Sequence, residues 1–169
     1  TVASCEKKNL PFTGVDLKNI KTHPHYFTYE KKGIKLGILN VAEIEFSSAT
    51  KKDPGALRYD VVEVHHQIQQ IKKVCDKLLL IIHGGIENFE LPSSQQVKDY
   101  RFFAEAGADI VICHHSHRVS GYEIYNGVPI FYGLGNFMFH GKQKPNDWYI
   151  GMQLNISIGD KIAFEIKIT

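Results

Sequence analysis

Lys77-Leu78-Leu79-Leu80-Ile81-Ile82-His83-Gly84-Gly85 is the stretch that decides the fold. Leu78 to Ile82 is the longest apolar run in the chain. It is far too short to cross a bilayer, which takes about 20 residues. Without polar alternation, it predicts a buried strand of a sheet. Upstream, Val61, Val64, Ile68, Ile71 and Cys75 recur at helical spacing, with Asp60 available as N-cap. Downstream, the Gly84-Gly85 turn leads to a second helix starting at Ser93, where Ser93 and Gln96 have capping-box spacing and Gly107 fits the C-terminal cap. Asp109 to Cys113 is a further apolar strand, and Ile34 to Val41 is an earlier one, expected to be buried on both faces. Strand, helix, strand, helix, strand predicts βαβ units on a parallel sheet, an α/β fold.

The flanks differ. Residues 1–32 are polar and broken by Pro11, Gly14 and Pro24, and read as a loop-rich segment; Phe46 to Gly55 reads as a loop. Asn126-Gly127, between Tyr122-Tyr125 and Val128-Tyr132, is a hairpin signal, as is Gly159-Asp160. The last third is therefore expected to be mostly antiparallel, within a single domain over residues 1–169.

The 169 residues are 43% hydrophobic and 22% charged, ordinary for one globular domain. The net charge of +2 comes with no dense basic block, which argues against a nucleic-acid partner. No stretch predicts a transmembrane segment. Cys5, Cys75 and Cys113 are odd in number and match neither a disulfide framework nor a zinc motif, so they are expected as free thiols. The chain begins with Thr1 and carries no basic-then-apolar leader, so an earlier segment is expected to have been removed. Cell envelope and cytoplasm both remain open as locations.

Nine histidines is a high count, and their positions matter more. His83 ends one expected strand, and His114, His115 and His117 follow another. Open α/β sheets gather ligands at the C-terminal strand ends, so these side chains are expected to converge. Imidazoles aimed at one point suit Zn, Mn or Fe. In an extended segment His115 and His117 share a side, so they are expected as ligands, and His114 points away into a supporting or core role. The competing reading is that a strand-end histidine is a hydrogen-bonded core residue. His65 and His66 lie in the first helix with His66 on its polar face, and His23, His25 and His140 are expected on solvated loops.

Three ordered motifs carry a resemblance: His83-Gly84-Gly85-Ile86-Glu87; Gly107-Ala108-Asp109 leading to His114-His115-Ser116-His117; and Ile130-Phe131-Tyr132-Gly133-Leu134-Gly135-Asn136-Phe137. Together they resemble the CapA-like family of capsule and poly-γ-glutamate synthesis, a branch of the calcineurin-like metallophosphoesterases. That family has His-Trp-Gly-x-Glu, Gly-His-His-Pro-His and Tyr-Ser-Leu-Gly-Asn-Phe in the same order. The departures are Gly84 for Trp, Cys113 for Gly, Ser116 for Pro and Gly133 for Ser; the histidines are retained. The family's earlier Asp-x-His, Gly-Asp and Asn-His motifs are absent from this sequence, so the resemblance implies the C-terminal part of a metallophosphoesterase-like sandwich from a longer protein.

The resemblance further implies that His83 and His115 serve one divalent ion and His117 a second, with the bridging carboxylate supplied from outside this sequence. Asn136 would orient substrate or a ligand histidine, or else be a turn residue bonding its own backbone. Glu87 would accept a hydrogen bond from His83, or else be a solvated loop glutamate. Two functions follow as expectations. One is a metal-dependent phosphoesterase-like hydrolase or transferase acting on a phosphoester or anionic polymer precursor. The other is a non-catalytic metal-binding or structural relative of such an enzyme.

Overall fold

The computed structural model describes residues 2–17, 25–45, 47–138 and 146–169. Its elements are α1 (Val2–Lys7), β1 (Val15–Asp16), β2 (Tyr26–Lys31), β3 (Ile34–Ala42), β4 (Gly55–Ala56), α2 (Val61–Lys72), β5 (Lys77–Gly84), α3 (Ser94–Ala106), β6 (Ile110–His115), β7 (Tyr122–Tyr125) and β8 (Val128–Phe131). A 3-10 turn (Asn146–Tyr149), β9 (Met152–Ile158) and β10 (Ile162–Ile168) complete them. Six strands form one sheet in the order β2-β3-β5-β6-β8-β7. β3, β5, β6 and β8 run parallel, and β2 and β7 are antiparallel edges. The expected α/β class is the one found.

The helix ends follow local chemistry. Asp60 accepts hydrogen bonds from the Val62 and Glu63 amides, both at 3.0 Å, at the start of α2. Ser93 and Gln96 form both halves of a capping box on α3. Gly107 closes that helix at φ 118°, a left-handed conformation glycine adopts without a side-chain clash. At the N-terminal sheet edge, Asp109 accepts from the Leu78 amide at 2.8 Å and pairs with Lys72 at 2.7 Å, fixing β5 beside β6.

The two faces of the sheet are covered unequally. α2 and α3 pack on one face, where Leu78, Leu80 and Ile82 of β5 meet Val64, Ile68, Ile71 and Phe103 with 0% exposure. On the other, the β9–β10 hairpin covers Ile110, Ile112 and Phe131 through Leu154, Ile156, Ile162 and Phe164.

Three expectations are corrected. β3 is not buried on both faces but alternates buried and half-buried residues, and β5 does the same, leaving Leu79, Ile81 and His83 half-buried. The hairpin lies over β6 and β8, so the second face of β5 is only partly roofed. The first 32 residues are not merely loop, since they hold α1 and β2. The aromatic and β-branched run Tyr26-Phe27-Thr28-Tyr29 suits an edge strand, and Lys32 and Gly33, at φ 53° and 77°, turn it into β3. β8 does pair with β7 across Asn126-Gly127, but it also continues the parallel sheet beside β6. The β9–β10 hairpin turns through Gly159-Asp160-Lys161. His23 and His140 lie outside the described residues. Among the described residues, no helix is long and apolar enough to cross a membrane.

Candidate metal centre

β5 and β6 end side by side, in a register that pairs His83 with His114 and Gly84 with His115. Strand parity puts His83 on the hairpin side with Leu79 and Ile81, and His114 there with Ile110 and Ile112. His115 would face the helices if the strand stayed regular. Its φ of 134°, and 58° at His117, swing both rings back over the sheet edge. Such values are costly for residues with a Cβ and cluster at functional sites. The expectation that His114 points away is therefore wrong: it follows the parity of His83, and backbone distortion brings His115 in. All four rings line one cavity of about 660 Å³, with Asn136, Met152 and Leu154 opposite.

The imidazoles are in direct contact. His83 Nδ1 lies 3.2 Å from His114 Nδ1, and His83 Nε2 lies 2.9 Å from His115 Nδ1. The outer nitrogen of His115, Nε2, is 3.4 Å from Glu45 Oε1. One proton pattern satisfies the histidine contacts: His83 Nε2–H donates to His115 Nδ1 and His114 Nδ1–H to His83 Nδ1, which leaves the His115 proton on Nε2, facing Glu45. Burial, and next the neighbouring His115, push His83 below the usual imidazole range; burial, then His83 and His115, do the same to His114. Both are thus held in the neutral form that ligates metals.

His117 is positioned separately. Its Nδ1 lies 2.7 Å from Asn136 Oδ1, and Asn136 Nδ2 donates to the Trp148 carbonyl at 2.7 Å. With Asn136 accepting at Nδ1, the lone pair of the neutral ring is on Nε2. The Trp148 ring stacks on His117 with centroids 4.7 Å apart. Asn136 thus bonds the side chain of His117. Glu87 does not meet its expected partner. It is exposed, and among the described residues both His83 ring nitrogens face other histidines.

Two carboxylates were missed by sequence reasoning. Glu43 and Glu45 follow β3, whose C-terminal end lies beside that of β5, and that shared edge was the available signal. Glu45, His83 and His115 each offer a ligand atom within 4.8 Å of the others. Glu43 accepts from the Gly85 amide at 3.0 Å and fills the space beside Gly84, where a Cβ would stand 2.6 Å from its carboxyl carbon. A larger side chain at position 84 would thus displace this carboxylate. Beneath the motif, Tyr100 donates to Cys113 Sγ at 3.1 Å, and Cys113 donates to the Gly84 carbonyl at 3.2 Å. Burial pushes the Cys113 thiol up to about 11, so it braces the loop and is no nucleophile. Cys5, Cys75 and Cys113 are all free.

Known proteins resemble this chain in sequence or in fold. The chain is 32% identical over 142 residues to the PGA biosynthesis protein CapA of Bacillus subtilis, covering 82% of this chain and 37% of that one. It is 28% identical over 145 residues to the capsule biosynthesis protein CapA of Bacillus anthracis, covering 82% and 35%. It therefore spans little more than a third of these relatives. A Staphylococcus aureus crystal structure described as a 5′-nucleotidase superposes with a TM-score of 0.58 at 11% identity, over 92% of this chain and 31% of that one, a likeness of fold. The family model for the bacterial capsule synthesis protein PGA_cap matches residues 1–141, and the chain belongs to that family.

Proposed function

We propose that this chain carries the histidine side of a divalent-metal site in a phosphoester hydrolase or transferase, acting on an anionic polymer precursor or phosphoester during capsule or exopolymer assembly. The observation that carries the proposal is the convergence of His83, His115 and Glu45 within 4.8 Å at the C-terminal edge of a parallel sheet. Donors on a tetrahedral ion stand about 3.3 Å apart, a distance that rotation of the Glu45 side chain can reach. The donor set fits Zn, Mn or Fe: neutral imidazoles together with a carboxylate. An ion held there would acidify a bound water and polarise a phosphoryl oxygen.

The chain's own groups divide the remaining work. His83 and His115 would hold the ion, and His114 would fix the His83 ring through its Nδ1. His117, oriented by Asn136, would face a second ion or the substrate phosphoryl group. Leu134, Met152 and Leu154 supply an apolar wall that limits water on the hairpin side. The capsule role rests on the family, and the substrate and reaction are this proposal's own.

One observation favours a non-catalytic reading, in which the site is structural: the His114, His83, His115 and Glu45 contacts satisfy one another without an ion. Turnover separates the two. A full-length protein containing this segment should hydrolyse a phosphodiester with Mn or Zn, and His115→Ala should lose about 100-fold or more in kcat/KM. Equal turnover by the two proteins rejects the catalytic reading.

A further inference from the structure

We infer that Glu45 is the carboxylate ligand of the ion held by His83 and His115, so that a two-histidine, one-carboxylate centre is complete within this chain. The inference rests on the proposed metal site and assigns its anionic donor to the loop after β3, where the resemblance had implied a carboxylate from outside this sequence.

The loop is built to aim that side chain. Where β3 ends, the Glu43 amide bonds the His83 carbonyl at 2.8 Å, so the loop departs alongside the histidine itself. Two residues on, the Glu45 amide donates to Ser48 Oγ at 2.8 Å, and the Ser48 amide returns to the Glu45 carbonyl at 3.0 Å. This serine-closed turn is fastened to β4 by two bonds, from the Ala49 amide to the Ala56 carbonyl at 3.0 Å and from the Ala56 amide to the Ser47 carbonyl at 2.7 Å. Ala49 beside it is 2% exposed. Glu45 thus projects from an anchored turn.

The chemistry selects Glu45 over the other nearby carboxylates. Glu43 is committed to the Gly85 amide and shares the helix side with Tyr59 and Cys113, whose ionisation it opposes. Glu87 is exposed and makes no bond to the cluster among the described residues. Glu45 Oε1 lies 3.4 Å from His115 Nε2, and its carboxylate has an oxygen within 4.8 Å of a ligand atom of each histidine. Neutral imidazoles alone leave a divalent ion's charge uncompensated, whereas one carboxylate halves it. With its side chain 41% exposed, Glu45 closes only one side of the ion and leaves the solvent edge open for a water or an incoming oxygen.

The test is metal binding by the 169-residue chain, with Zn(II) measured by equilibrium dialysis and Co(II) by its visible d–d absorption. The wild-type chain should bind one ion, and Glu45→Gln should weaken binding by about 100-fold and alter the Co(II) spectrum, while its metal-free melting temperature stays unchanged. Ser48→Ala, which frees the turn but keeps the ligand, should weaken binding by about tenfold or less. If Glu45→Gln binds like wild type while His83→Ala does not, the Glu45 assignment fails and the histidine site stands. If the wild-type chain binds no ion, or His83→Ala binds as well as wild type, both readings fall.

Discussion

The sheet has a helix face and a hairpin face, and β5 lies between them. On the helix face Leu78, Leu80 and Ile82 are 0% exposed beneath α2 and α3. On the hairpin face their neighbours Leu79 and Ile81 are half-buried, and the same row ends in His83. The face that gives stability is close-packed, and the face that carries the imidazoles is open enough to form a cavity. Folding and chemistry are thus divided between alternate residues of one strand.

The largest test of that division compares adjacent positions. Leu80→Ala empties a fully enclosed site and should cost about 3–4 kcal/mol. Ile81→Ala removes a similar volume from a half-open site and should cost about 1 kcal/mol. Urea unfolding of both variants checks it; equal losses would mean that the hairpin face is as close-packed as the helix face.

A smaller effect probes the helix side of the sheet edge, where Glu43 fills the space beside Gly84. Gly84→Ala should displace the Glu43 carboxylate from the Gly85 amide at a cost of about 1–2 kcal/mol. In a Glu43→Ala background the same substitution should be nearly neutral. A double-mutant cycle by thermal melting reads the coupling directly, and additive losses would show that Glu43 does not hold that space.

These contrasts also explain what the sequence made legible. The βαβ core was readable because local signals agree there: the Asp60 cap, the Ser93–Gln96 box, the Gly107 stop and the unbroken apolar run of β5. The gathering of histidines at one edge followed from the parallel topology. How the rings turn did not follow, because alternation assumes a regular strand and His115 and His117 both depart from it. Burial on both faces was wrongly inferred for β3, since an apolar run does not reveal how far its roof extends. Glu45 and Glu43 escaped notice because nothing in their own neighbourhood marks them; only the pairing of β3 with β5 brings them to the site.

The smallest effect lies at the outer margin of the helix face, where electrostatics rather than packing joins α3 to β7. Arg101 makes a paired contact with Glu123 at 2.9 and 2.7 Å, and Tyr132 donates to the same carboxylate at 2.6 Å. The Arg101 hydrogen bonds, helped by the Tyr132 hydroxyl against some burial, hold the Glu123 carboxyl below its usual value of 4.5. Between its folded and unfolded values the unfolded chain binds more protons, so this contribution is fully present above about pH 4.5 and drains away as pH falls through the depressed folded value. The stability difference between wild type and Glu123→Gln should therefore be measurable at pH 7 and shrink by pH 3, as read from urea midpoints. Leu80→Ala should keep its penalty across the same range, because methyl groups do not titrate. A Glu123→Gln difference that stays constant with pH would make this contact a matter of shape, and the margin would then behave like the rest of the helix face.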